Sequence, residues 1–131
     1  MVIEFHLDSR SGVPAYLQVV QQVRRAIRLG MLRPGDQLPT VKEVVTSLTI
    51  NPNTVLRAYG QLDLEGLVEG RRGVGTFVSA GSAPLPPDEV KSLRSALDRW
   101  ITRARAAGLD DESISALFAE SVRPASMSRV A

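Results

Sequence analysis

The sequence predicts a mainly α-helical fold carrying one small β-hairpin, with a separate pair of helices after it. Three observations predict it. Apolar residues recur at helical spacing in five stretches of the 131 residues. Proline, asparagine, threonine and glycine stand where those stretches begin and end. The segment Leu67 to Val78 breaks the pattern, with short β-prone runs on either side of Arg71-Arg72-Gly73-Val74-Gly75.

Ile3-Glu4-Phe5-His6-Leu7 alternates apolar and polar residues, the pattern of a half-buried strand. Asp8 to Gly12 is a polar turn. Pro14 suits the first position of a helix, where its missing N–H has no helical partner to lose. Tyr16, Val20, Val23 and Ile27 then give one apolar face, with Arg24, Arg25 and Arg28 lying off it. Gly30 ends this helix, and Arg33-Pro34-Gly35-Asp36 reads as a turn.

Thr40-Val41-Lys42-Glu43 matches a capping box, in which hydroxyl and carboxylate satisfy each other's orphan amides. Val41, Val44, Val45 and Leu48 supply the buried face of this second helix. Thr49-Ile50 is a very short turn, after which Asn51 is an N-cap and Pro52 a first-turn proline. The third helix turns Val55, Tyr59 and Leu62 inward, and Gly66 closes it. Helices joined by about three residues cannot lie antiparallel; they cross steeply, as in a helix-turn-helix. Leu67-Val68-Glu69 and Thr76-Phe77-Val78 follow as two strands, so the hairpin is a wing.

Residues 80–87 have linker composition, with Gly81, Ser82, Pro84, Pro86 and Pro87. Val90, Leu93, Leu97, Trp100, Ile101 and Ala104 mark a helix of about five turns. Gly108 stops it, Asp110 or Asp111 caps another, and Ile114, Leu117 and Phe118 give that one its face. From about Arg123 the chain reads as frayed. The expected division is a winged helix-turn-helix over 1–79, a linker over 80–87 and a helical segment over 88–131. Two helices have little interior, so the tail must pack on the front domain or on a second copy. The proline-rich linker favours the second copy and makes Val90, Leu93, Leu97, Trp100, Ile101, Ile114, Leu117 and Phe118 dimerisation candidates.

Composition narrows the function classes. The net charge of +2 is too small to argue for nucleic acid alone. Through Ser79, however, nine basic residues face seven acidic ones, so the whole excess lies in the front part. Without cysteine there is no disulfide, thiolate metal site or thiol nucleophile. Met1 to Arg10 does not read as a signal peptide, and no stretch approaches the roughly 20 apolar residues of a membrane span. These features fit a cytoplasmic protein. His6, the single histidine, has no spacing partner for catalysis or metal binding. Asp110-Asp111-Glu112 is the ordinary acidic start of a helix rather than a cation site. Gly73-Val74-Gly75 has no helix after it and is not a nucleotide loop. No enzyme, cofactor or metal is expected.

The chemistry concentrates on the third helix and the wing. A helix N-terminus joins a positive dipole end to free amides, a natural seat for phosphate. Asn51, Asn53, Thr54 and Arg57 add amides, a hydroxyl and a guanidinium, and Asn53 and Arg57 share the face opposite the buried stripe. Asparagine pairs bidentately with adenine and arginine with guanine in the major groove. Arg71, Arg72 and Gly73 suit the backbone or a narrow minor groove beside it, and Lys42 suits a phosphate. Arg24, Arg25 and Arg28 are further phosphate candidates. The bland reading makes Asn51 a cap and Arg57 a solvated charge; the short turn before and the wing after weigh against it.

At these positions the chain resembles the GntR family of bacterial transcription regulators, a winged helix-turn-helix group. The matching marks are Pro14, Tyr16, Gly30, Pro34-Gly35-Asp36-Gln37-Leu38-Pro39, Thr54-Val55, Leu62, Glu65-Gly66-Leu67-Val68 and Gly73-Val74-Gly75-Thr76-Phe77-Val78. Ile50-Asn51-Pro52-Asn53-Thr54-Val55, Arg57-Ala58-Tyr59 and the short helical tail resemble the YtrA-like subfamily, where the tail serves dimerisation. Pro52 and Leu56 stand where the family commonly has arginine, and Lys42 replaces another. Lysine keeps the charge but loses the planar fork. The resemblance implies a homodimeric, sequence-specific regulator, a repressor on an inverted-repeat operator in double-stranded DNA. The alternative is a winged helix that binds a protein, which would more often carry an apolar or acidic patch in place of Asn53 and Arg57. The sequence names no small-molecule effector.

Overall fold

The computed structural model describes residues 3–81 and 85–123. Five helices and one two-stranded antiparallel sheet follow each other among them. α1 (Ala15–Arg28) begins behind Pro14, which sits at the N-cap. Its buried face is Gln18, Val19, Val20, Val23, Ala26 and Ile27. α2 (Val41–Leu48) starts on the expected capping box: Glu43 N–H donates to Thr40 Oγ1 at 3.1 Å, and Thr40 N–H to Glu43 Oε1 at 3.2 Å. α3 (Pro52–Leu64) buries Val55, Ala58, Tyr59 and Leu62. Between α2 and α3, Thr49 takes a left-handed conformation (φ 55°), which an L-residue adopts at a cost of roughly 1–2 kcal/mol. That residue makes the turn tight.

Three of the helix ends share one device. After α3, Gly66 at φ 77° lets its own N–H reach Asp63 O (2.9 Å) and Leu67 N–H reach Leu62 O (3.0 Å). This pair of bonds satisfies carbonyls that the helix leaves without partners. The same pair closes α1 at Gly30, and later closes α4 (Pro87–Ala106) at Gly108.

The wing consists of β1 (Val68–Arg71) and β2 (Gly75–Val78), in register from Val68↔Val78 to Arg71↔Gly75. The strands run further toward the tip than expected, and Leu67 lies in the turn before β1 rather than in it. On its other edge β2 takes bonds from the α1–α2 connection. Gly35 N–H donates to Val78 O, Val78 N–H to Asp36 O and Leu38 N–H to Thr76 O, at 2.8–2.9 Å. Glycine is favoured there because its φ of 144° is one that L side chains rarely adopt, and a Cβ would also have to push the end of the Gln37 side chain aside. An edge strand satisfied on both sides is protected from stray pairing.

The expected strand at Ile3–Leu7 does not form. The segment is extended, but two glutamine side chains of α1 take the place of a neighbouring strand. Gln22 accepts from His6 N–H (3.0 Å) and donates to His6 O (2.6 Å). Gln18 does the same with Asp8, at 2.8 and 2.9 Å. The spacing explains the fit: two extended residues span about 6.6 Å and one helical step of four about 6 Å. Phe5 is thereby delivered into the core, beside Val19, Val20, Val44, Val55, Leu62 and Val78. Each fully buried valine or leucine contributes roughly 1.5–3 kcal/mol relative to exposure.

By contact the chain divides into two compact units, Met1–Val90 and Lys91–Ala131. The second unit holds most of α4, and α5 (Asp111–Val122). Asp110 caps α5 by accepting from Ser113 N–H at 2.8 Å, and hydrogen bonds from Ser113 hold its carboxyl below the usual range. Ala104 and Ile114 are its buried apolar residues, whereas Leu93, Leu97, Leu117, Phe118 and Val122 are exposed and Trp100 and Ile101 half-buried. Of the expected linker, residues 82–84 lie outside the described residues and Pro87 already opens α4. The expected frayed end falls beyond Arg123, outside the described residues.

Candidate nucleic-acid interface

The local sequence that starts α3 also decides which of its groups face outward. Asn51 is the N-cap, and its Oδ1 accepts from Asn53 N–H at 2.8 Å. Thr54 N–H goes to Asn51 O at 3.0 Å, and Pro52 has no N–H at all. The expected phosphate seat of unpaired amides is therefore largely used up within the helix itself. What this end presents is side chains. Asn53 and Arg57 are both exposed, one turn apart, on the side away from Val55, Tyr59 and Leu62; Thr54 is half-buried between them. Asn51 has spent its acceptor on the cap, whereas Asn53 keeps both halves of its amide for a base edge.

Three ion pairs are found among the described residues, and they sort the arginines. Arg24 makes a two-pronged bond to Glu65 (2.8 and 2.9 Å), so its donors are already engaged. Arg71 is not at the tip of the wing. It is the last paired residue of β1, its guanidinium lies 4.4 Å from the centre of the Phe77 ring, and Glu69 holds it at 3.0 Å. The tip is Arg72-Gly73-Val74, closed by Val74 N–H donating to Arg71 O at 2.9 Å, with Gly73 at φ 76°. Arg72 and the apolar Val74 are exposed at the tip, and Arg71 is exposed beside them but ion-paired.

Lys42 stands exposed in the first turn of α2. Arg25 and Arg28 are exposed in the last turn of α1, where cations also offset the helix dipole. Arg57 takes part in none of the three ion pairs; its guanidinium lies 3.9 Å from the centre of the Tyr16 ring on α1. Sequence reasoning placed Tyr16 in the apolar stripe of α1 and among the family marks, with no partner on α3. An aromatic contact across two helices has no periodic signature, and nothing in the pattern pointed to it.

A helix tip carrying an amide and a guanidinium, beside a hairpin with two exposed arginines of which Arg71 is ion-paired, offers base-edge and backbone contacts. No group of histidine, aspartate and glutamate among the described residues has metal-holding geometry. No helix among them is long and apolar enough to cross a membrane.

Comparison with known proteins agrees with this geometry. Residues 15–78 match the family model described as bacterial regulatory proteins, gntR family. The HTH-type transcriptional repressor YtrA of Bacillus subtilis (strain 168) is 37% identical over 109 residues, covering 82% of this chain and 84% of the repressor. Among solved structures, YtrA from Sulfolobus acidocaldarius, a GntR-family transcription factor, is similar with a TM-score of 0.56. It is 30% identical, covering 78% of this chain and 97% of that one. The DNA-binding domain of AraR, solved in complex with operator ORX1, is similar with a TM-score of 0.52. It is 27% identical, covering 60% of this chain and 99% of that domain.

Proposed function

The chain belongs to the GntR family of DNA-binding transcription regulators, and from that premise we propose that it is a cytoplasmic, homodimeric repressor rather than an enzyme. Residues 1–79 form its DNA-binding domain, 80–87 a linker and 88–131 the segment that pairs two copies. α3 enters the major groove, with Asn53 and Arg57 against base edges. Lys42, Asn51 and Thr54 flank it, and Arg72 and Gly73 carry the wing onto the adjacent backbone or minor groove. Arg71 supports the wing instead of contacting DNA directly.

One observation carries this reading: Asn53 and Arg57 are exposed a turn apart at the start of α3, and Arg57 donates to no carboxylate among the described residues. Buried or ion-paired, they would be cap and solvation. The operator complex of AraR supports the DNA, and the name of the Bacillus subtilis relative supports repression. The exposed Leu93, Leu97, Leu117 and Phe118 support the second copy, since apolar faces of this kind seek a partner. Two-fold symmetry then gives an inverted repeat, with half-sites roughly 34–36 Å apart or a multiple of that.

A gel shift and footprint on DNA upstream of the chain's own coding region tests it. The expected result is a protected inverted repeat that survives excess random duplex. Binding that random duplex abolishes in proportion to its amount would overturn sequence-specific regulation, and absence of any complex would favour a protein-binding winged helix.

A further inference from the structure

Arg57 differs from the other arginines that the structure ties down. Arg24 is bonded to Glu65, and Arg71 is both stacked on Phe77 and bonded to Glu69. Arg57 is stacked on Tyr16 at 3.9 Å and belongs to none of the ion pairs among the described residues. The difference is chemical. A guanidinium is planar, and its five N–H donors radiate in that plane. A ring beneath it occupies a face and leaves every donor edge open, whereas a carboxylate consumes the edges.

The ring itself is well anchored. Tyr16 lies in the first turn of α1, half-buried and packed against the core. Its ring thus gives a fixed platform to a side chain that would otherwise sample many rotamers. Arginine binds a guanine edge bidentately only in one orientation, so a guanidinium already held in place loses less freedom on binding.

We propose that Tyr16 is a positioning residue for base reading: its ring face holds the Arg57 guanidinium so that the N–H edge meets a guanine in the major groove. This rests on the reading of Arg57 given above. The ring is what matters, and the phenolic hydroxyl plays no part.

The test uses the full chain and a duplex that it selects from a randomised double-stranded library. Affinity is measured for that duplex, for the same duplex changed at each base pair in turn, and for random duplex. Tyr16→Phe keeps the platform and is expected to keep the discrimination. Tyr16→Leu removes the ring face and is expected to lower discrimination at the base pair read by Arg57 by about three- to tenfold. Its affinity for random duplex stays unchanged, and in an Arg57→Ala background it adds nothing. Thermal unfolding monitors the fold, and Tyr16→Met carries the same comparison should Tyr16→Leu be unfolded.

Equal losses on selected and random duplex would overturn the proposal, as would a Tyr16→Leu effect that persists without Arg57. So would Tyr16→Phe failing alongside Tyr16→Leu, which would put the hydroxyl on the DNA. Loss of discrimination in Arg57→Ala but not in Tyr16→Leu would overturn the role of Tyr16 alone. Unchanged discrimination in Arg57→Ala would overturn the reading of Arg57 and the proposal with it.

Discussion

The Tyr59 hydroxyl on α3 donates to the carbonyl oxygen of Pro39 at 2.6 Å, and Pro39 is the residue before the N-cap of α2. One bond therefore ties the middle of α3 to the entry of α2 and helps fix how the two helices cross. Burial, reinforced by the charge of Glu43, raises the phenol well above the value of about 10 at which a solvated tyrosine loses its proton. The hydroxyl stays a donor across the neutral range.

Tyr59→Phe is accordingly expected to lower stability by about 1–2 kcal/mol, the cost of leaving a part-buried carbonyl unpaired. Urea unfolding reads this as a lower midpoint at unchanged slope. A change within about 0.5 kcal/mol, typical of inert surface substitutions, would show that the bond does not hold the helices.

Glu65 gives a pH-dependent contribution. The Gln61 amide donates to it at 3.0 Å and Arg24 at 2.8 and 2.9 Å, and these hold its carboxyl below the ordinary 4.5, Gln61 foremost. A depressed folded value means that the stabilisation is complete above 4.5 and is lost as pH falls through the folded value. Arg24 is about half exposed, so solvent screens the pair and its worth is roughly 0.5–1 kcal/mol. Glu65→Gln should cost that much at neutral pH and progressively less in acid. Urea midpoints showing an equal deficit at both would contradict the linkage.

The two wing arginines should behave differently. Arg72 at the tip is expected to lower the slope of log affinity against log salt by about 0.9, one phosphate's share, when changed to alanine. Arg71→Ala should leave the slope nearly unchanged, because Glu69 already offsets that charge at 3.0 Å. The reverse ranking would mean that Arg71 swings off Phe77 to meet the DNA.

Pairing of two copies is tested on the tail. Leu97 and Phe118 are 40% and 49% exposed, so glutamate at either should be tolerated within one chain. Leu97→Glu with Phe118→Glu is expected to turn a sedimenting dimer into monomer and to weaken operator binding, while the winged unit keeps its thermal transition. A wild-type chain that is already monomeric at micromolar concentration would remove the pairing.

What the sequence made legible was local. Thr40 with Glu43, Asn51 with Pro52, and glycines 30, 66 and 108 each fix a helix end through bonds spanning a few residues, so composition and spacing located them. Partnerships between distant segments were not legible. The alternation of Ile3–Leu7 suggested a strand that does not form; the backbone partners of this segment are the glutamines of α1. In the same way, Gln37 pairs across to Phe77, Glu65 takes Arg24, and Tyr16 takes Arg57. The candidate site was proposed from its residue types; which arginines remain available depended on acceptors brought near by folding.

The central claim is that the outward side chains at the start of α3 read bases. Competition binding of Arg57→Ala and Asn53→Ala, on the selected operator and on random duplex at one salt concentration, measures this most directly. Each variant should lose about 1–3 kcal/mol on the operator, with relaxed preference at one base pair and unchanged affinity for random DNA. Losses equal on both duplexes would place these residues on the phosphate backbone and contradict base reading by α3.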